Sequence, residues 1–179
     1  MDKDVYCGPL RLGGFSLIEL LISLALFSIL ISIALPSYSY LVQDRHADTA
    51  ARQLFTLLSY TRQQAITRKR QVVICAAADD SFSQCIPFKW SGRSDWSQGV
   101  MIFVDGDKNE RFSAENDELL KVARLDSAVV DVSCTTGSFI AYKGTGILQG
   151  FSNGTLTFTS GDYSRQLKVT NIGRVRFID

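Results

Sequence analysis

The 179-residue sequence predicts an α+β fold in which a long N-terminal helix packs on a small, mostly antiparallel β-sheet head. Three observations predict it. Residues 15–35 form one apolar run, residues 41–71 repeat apolar side chains at helical spacing, and beyond Gln71 the chain breaks into short β-favouring runs between Gly, Asn, Asp and Ser clusters. Nearly half of the residues are apolar and the formal net charge is +1, which fits one globular domain plus one extra element. Affinity for nucleic acid would therefore have to come from local clustering of Lys and Arg rather than from the average charge.

The apolar run, FSLIELLISLALFSILISIAL, has about the length a helix needs to cross a bilayer core. Glu19 is the only charged residue within it. Gly13 and Gly14 precede the run, whereas a cleaved secretory signal places its small residues after the apolar stretch. That order predicts an anchor that survives processing. Lys3 and Arg11 lie on its N-terminal side, partly balanced by Asp2 and Asp4, which is consistent with a cytoplasmic start. Pro36 removes one backbone hydrogen bond and is expected to kink the helix without ending it.

Ala47, Ala50, Leu54, Leu57, Leu58, Thr61 and Ala65 then fall on one helical stripe, so the helix is expected to continue and dock on the head. Arg68, Lys69 and Arg70 close it, where cations suit the negative end of the helix dipole. The expected strands are VVICA, VMIFVD, SFIAY, TLTFT, RQLKVT and RVRFID. Asn153-Gly154 reads as a hairpin turn between ILQGFS and TLTFT, and Asn171-Ile172-Gly173 as the turn between the last two strands.

The residues Gly13-Gly14-Phe15-Ser16-Leu17-Ile18-Glu19-Leu20-Leu21 resemble the processing signature of type IV pilins and type II secretion pseudopilins. The resemblance implies cleavage by a prepilin peptidase after Gly14, methylation of the new amino terminus on Phe15, and a filament-assembly role for Glu19. It also implies that Glu19, a carboxylate costly to hold in hydrocarbon, pairs with the amino terminus of a neighbouring subunit. On this reading residues 1–14 are a cleaved leader, 15–36 a transmembrane and assembly helix, and 37–179 an extracytoplasmic head that includes the second half of the helix. The protein would sit in the inner membrane as a single-pass chain with its head in the periplasm, then enter a filament with other pilin or pseudopilin subunits.

A second match lies in the head. Trp96, Gly99, Phe103, Asp105, Asp107, Asn109, Glu118, Leu119 and Leu120 resemble the pattern of the GspH, FimT and FimU minor pilins. The pattern is shared by pilus and secretion-system members and does not choose between them.

Four cysteines, Cys7, Cys75, Cys85 and Cys134, show no paired zinc-site spacing. Loss of a leader containing Cys7 would leave three, hence at most one internal disulfide. Cys75 and Cys85 flank the polar stretch Asp79-Asp80-Ser81 and are the expected pair, in an oxidising compartment such as the periplasm; the alternative is three reduced, buried thiols.

No cofactor, metal site or catalytic residue is expected. Asp105, Asp107 and Asn109 have the opening alternation of a calcium loop, but Glu110 stands where the turn glycine belongs and Asn116 where the bidentate glutamate belongs, so a solvated loop is expected. His46, the only histidine, lies on the long helix near the membrane exit. The remaining chemistry is at the C-terminus. In Gly173-Arg174-Val175-Arg176-Phe177, strand alternation puts Arg174 and Arg176 on one face and Val175 and Phe177 on the other. Paired guanidinium groups suit neighbouring phosphates of double-stranded DNA, and the segment resembles the Gly-Arg-x-Arg ending of the FimT branch, implicated in DNA uptake during natural transformation. Arg165 and Lys168 on the preceding strand alternate to opposite faces, so at most one extends this patch directly, and Lys143 is a more distant candidate. An edge strand protected by charge explains the same alternation.

Overall fold

A computed structural model describes residues 16–87, 93–125, 128–150 and 153–178, leaving aside the side chains of 33–41. The chain divides between Tyr40 and Leu41 into two compact units. One helix, α1 (Leu17–Arg68), runs through Pro36 and belongs to both. Ser16 caps its start, accepting the Glu19 backbone N–H at 3.2 Å, and Glu19 itself occupies the first turn, where a carboxylate suits the positive end of the dipole. The described apolar side chains of the first unit, from Leu17 to Ile31, are all exposed. Among the described residues no helix is long and apolar enough to cross a membrane; the side chains of the run are described only as far as Ser32, short of the ~20 residues such a span requires.

In the second unit the helical stripe is buried, from Ala47 to Ala65, and Ala51 joins it. Small residues at Ala47, Ala50, Ala51 and Ala65 let the strands approach the helix closely, and Leu54, Leu57 and Leu58 fill the space between. Among the described residues nine strands follow: β1 (Val72–Ala76), β2 (Ser94–Asp95), β3 (Gly99–Val104), β4 (Glu118–Arg124), β5 (Asp131–Cys134), β6 (Phe139–Tyr142), β7 (Gly154–Ser160), β8 (Tyr163–Val169) and β9 (Val175–Ile178). These strands pair antiparallel throughout, but they form two sheets rather than one, ordered β4-β3-β1-β6 and β2-β5-β7-β8-β9. The hairpin expected at Asn153-Gly154 is not there. Gly154 opens β7, and the turn joining β7 to its partner β8 is Gly161-Asp162, with Gly161 at φ 55°.

The stripe of α1 and the inner faces of both sheets make one core, centred on Leu54, Leu58, Trp96, Ile102, Tyr142, Phe158 and Leu167. Trp96 donates its indole N–H to the Gly137 carbonyl at 3.0 Å, which satisfies its one polar atom. The outer face of the first sheet is covered as well. Val73, Cys75, Met101, Phe103 and Ala141 are buried beneath Phe82, Cys85, Phe112 and Phe139. Two loops and Phe139 at the start of β6 supply that cover. The 77–86 loop is held by a Cys75–Cys85 disulfide and an Ala77–Cys85 bridge, and the 105–117 loop carries Phe112 edge-on to Phe103 at 5.4 Å. Cys134 remains a free, buried thiol, its pKa pushed up by burial, while Cys7 lies outside the described residues.

Candidate nucleic-acid interface

β9 forms an edge of the five-stranded sheet, and what docks it there is its apolar side. Val175 packs on the core, and the Phe177 ring stacks on Phe55 of α1 at 5.5 Å between centroids. The Arg52 guanidinium lies 5.7 Å from the Phe177 centroid while bonding Asp48 at 2.8 Å, so the helix grips the strand through an aromatic stack and a cation–π contact. With that face committed, Arg174 and Arg176 turn outward, and both are exposed.

The β8–β9 register decides which neighbours join them. Lys168 stands directly opposite Arg176, and direct antiparallel partners project to the same side. Two cations in that relation repel, and no carboxylate pairs with either among the described residues. Arg165 goes the other way. It stands opposite buried Phe158 and faces α1, where its guanidinium lies 3.6 Å from Asp44 and 4.0 Å from Asp48, ion-pair rather than hydrogen-bond distances. Of the two candidates on β8, Lys168 therefore shares the outward face and Arg165 is spent on the helix.

The turn that leads into β9 depends on its glycine. Gly173 has φ 77°, and a β-carbon there would collide with the Gly146 carbonyl oxygen. Thr170 closes the turn, its N–H donating to the Arg174 carbonyl at 2.9 Å and its hydroxyl oxygen accepting from the Arg174 N–H at 3.2 Å. Arg62 of α1 then ties this turn to the one before β7, donating to the Gly146 carbonyl at 2.9 Å and to the Ile172 carbonyl at 3.1 Å. Lys143 sits on that neighbouring turn, exposed. Arg62 carried no signal in the sequence, because its role depends on two turns over 80 residues away.

The other candidates divide clearly. Gly14 and Phe15 lie outside the described residues. The acidic loop brings carboxylate oxygens of Asp105, Asp107 and Asp117 within 4.8 Å of one another. Each already organises the loop. Asp105 accepts from Gln71 at 2.8 Å and from the Glu110 N–H at 3.0 Å, Asp107 from the Asn109 side chain at 2.7 Å, and Asp117 from the N–H groups of Gly106 and Ser113. Burial holds the Asp105 and Glu110 carboxyls above the usual range, and for Glu110 the charge of Asp105 adds to it. His46 is half-buried on α1.

The family model described as "Type II transport protein GspH" matches residues 50–173, and that of the "Prokaryotic N-terminal methylation motif" matches residues 11–35. No curated protein matches the chain. Crystal structures of the type IV minor pilin FimU of Pseudomonas aeruginosa PAO1 share its fold in two crystal forms. Their TM-scores are 0.55 and 0.56 at 18% identity, covering 74% and 75% of this chain and 92% and 90% of theirs. The minor pseudopilin EpsH of the Vibrio cholerae type 2 secretion system gives a TM-score of 0.50 at 11% identity, covering 74% of this chain and 96% of that one. A family match over most of the head, behind an N-terminal methylation motif, places the chain in the GspH family of minor pilins and pseudopilins.

Proposed function

We propose that the protein is a minor pilin of a type IV pilus that binds double-stranded DNA through β9 and acts in DNA uptake for natural transformation. The observation that carries this reading is the like-charge pair Lys168–Arg176, with Arg174 about 6.5 Å along the same face. Cations placed in cross-strand register destabilise a sheet unless an anion lies over them. A polyphosphate backbone supplies anions at repeated spacing, and the contacts would be salt-sensitive and indifferent to sequence. No chemistry is assigned to the chain itself, which is the substrate of a processing enzyme rather than an enzyme.

Assembly completes the proposal. A prepilin peptidase cuts after Gly14 and methylates Phe15, residues 15–36 hold the chain in the inner membrane, and Glu19 then meets the amino terminus of a neighbouring subunit. The test of DNA binding is a mobility-shift titration of the full chain in detergent with duplex DNA. Replacing Arg174 and Arg176 together with Gln should abolish most of the shift, and undiminished binding would sink the mechanism.

A second reading rests on the position of β9 at a sheet edge, where Lys and Arg commonly discourage pairing with other chains. It makes the protein a structural subunit, either a FimU-like pilin or the GspH pseudopilin of a type II secretion system. Deleting the gene and scoring transformation, twitching and exoprotein secretion side by side separates the two, because lost secretion with intact transformation supports only the second.

A further inference from the structure

We infer, building on the DNA-binding reading above, that the phosphate-contacting surface does not stop at β9 but turns over the tip of the head, where Lys143 and Lys69 continue the track begun by Lys168, Arg176 and Arg174. Three backbone contacts make the track continuous. The Gly173 turn abuts the Gly146 carbonyl, the Leu148 N–H donates to the Asn171 carbonyl at 3.0 Å, and a β-carbon on Gly144 would lie 2.6 Å from the Lys69 carbonyl carbon. The turn carrying Arg174, the turn carrying Lys143 and the end of α1 carrying Lys69 are thus stacked against one another. Arg62 locks the first two through Gly146 and Ile172.

The charge of this surface is one-sided. Residues 66–71, 143–148 and 170–176 contain no Asp or Glu. Of their other cations, Arg68 bonds Glu118 at 3.0 Å, and Arg70 is directed toward the acidic loop rather than the turns, its Nη2 3.7 Å from where a Gly106 β-carbon would stand, without an ion pair among the described residues. Lys69 and Lys143 have no carboxylate partner among the described residues, and both are exposed. Lys69 also stands at φ 53°, at the helix-ending position where glycine is usual, so the chain carries a cation there against its backbone preference. Between α1 and Arg174 lies an open groove of about 380 Å³, bordered by Ser59, Arg62, Gln63 and Gly173. That is room for a phosphate and its sugar beside the strand.

The experiment measures binding of the full chain in detergent to a fluorescent duplex by anisotropy over a salt series. Each lost phosphate contact lowers the slope of log K against log salt by about 0.9. Lys69→Gln and Lys143→Gln should each reduce the slope by that amount and weaken binding to every duplex sequence alike, Lys69→Arg should restore it, and Arg70→Gln should leave it unchanged. Melting curves by circular dichroism check that each variant folds. Wild-type slopes for Lys69→Gln and Lys143→Gln, with reduced slopes for Arg174→Gln and Arg176→Gln, would confine the surface to β9 and overturn the inference alone. Wild-type slopes in all four would overturn the DNA reading with it. A loss for Arg70→Gln equal to that for Lys69→Gln would replace the track by diffuse charge. DNA binding that is insensitive to salt would overturn the phosphate track.

Discussion

Lys69 ends α1 in a left-handed conformation, at φ 53°, that a side chain disfavours. The end of α1 is a Schellman motif, in which the Arg70 N–H donates to the Ala65 carbonyl and the Lys69 N–H to the Ile66 carbonyl, both at 3.3 Å. The motif requires a left-handed residue, and a side chain there costs ~1 kcal/mol relative to glycine. Lys69→Gly should therefore raise the unfolding free energy by about 0.5–1 kcal/mol in a denaturant titration while weakening DNA binding. Opposite changes in the two measurements separate a lysine kept for its charge from one that merely fits the helix end. A variant both less stable and unchanged in binding would contradict this account. From sequence alone Lys69 reads only as a cation complementing the helix dipole, since neither its φ nor its neighbour Gly144 can be inferred locally.

At the level of elements, patterns that depend on nearest neighbours were legible and those that depend on pairing were not. The stripe Ala47 to Ala65 is visible as helical spacing because burial there follows the helix period directly. β7 is equally plain, alternating Leu156 and Phe158 inward with half-buried threonines between them. β4 is different. It is an edge strand with a register shift opposite Ile102/Phe103, so Leu120 and Ala123 both face the core at a spacing of three and the period of two is lost. The division into two sheets is a long-range choice with no local sign, and the ILQ segment expected to pair with β7 across Asn153-Gly154 instead has Leu148 bridging Tyr142 of the first sheet. The same holds at the site: alternation separates Arg165 from Lys168, but only the register of β8 against β9 says which one faces out.

The 77–86 loop is an element whose stability rests on one covalent bond. It has few backbone bonds of its own, chiefly Ala78 N–H to Gln84 and Ile86 N–H to Ala76, yet it places Phe82 over the outer face of the first sheet. Closing a loop of this separation restricts the unfolded chain by an amount worth about 2.5–3 kcal/mol. Replacing Cys75 and Cys85 together with Ala should cost about that much in a denaturant titration. Reduction of the wild type by dithiothreitol should lower its midpoint to a similar degree. DNA binding should survive below the new midpoint, because β9 belongs to the other sheet. Loss of binding in the folded double variant would mean that the two sheets are coupled more tightly than their separate pairings indicate.

For the whole molecule, the response of stability to pH follows from where the 105–117 loop puts its acids. Asp105 is almost fully buried, and it holds together a loop in which Lys108 and Glu110 both have positive φ, at 61° and 63°. Its carboxylate accepts backbone N–H groups that favour the charged form, but burial outweighs them and the pKa is raised; Glu110 is raised by burial and then by Asp105. Unfolded, both groups would titrate near 4. Between that value and the raised folded values, the native state retains protons that the unfolded state has released, so stability falls as pH rises through this window. Asp79 acts in the opposite sense at lower pH, its pKa lowered by the Ser81 hydroxyl and N–H, but it is fully exposed. Asp105→Asn keeps one oxygen for the loop amides and removes the ionisation, with the Gln71 amide free to turn and accept from it. Its melting temperature, measured from pH 4 to neutrality in detergent, should therefore decline less than that of the wild type, the two curves separating as pH rises. Parallel curves would show that water or nearby cations, Arg70 among them, already neutralise the cost of charging Asp105.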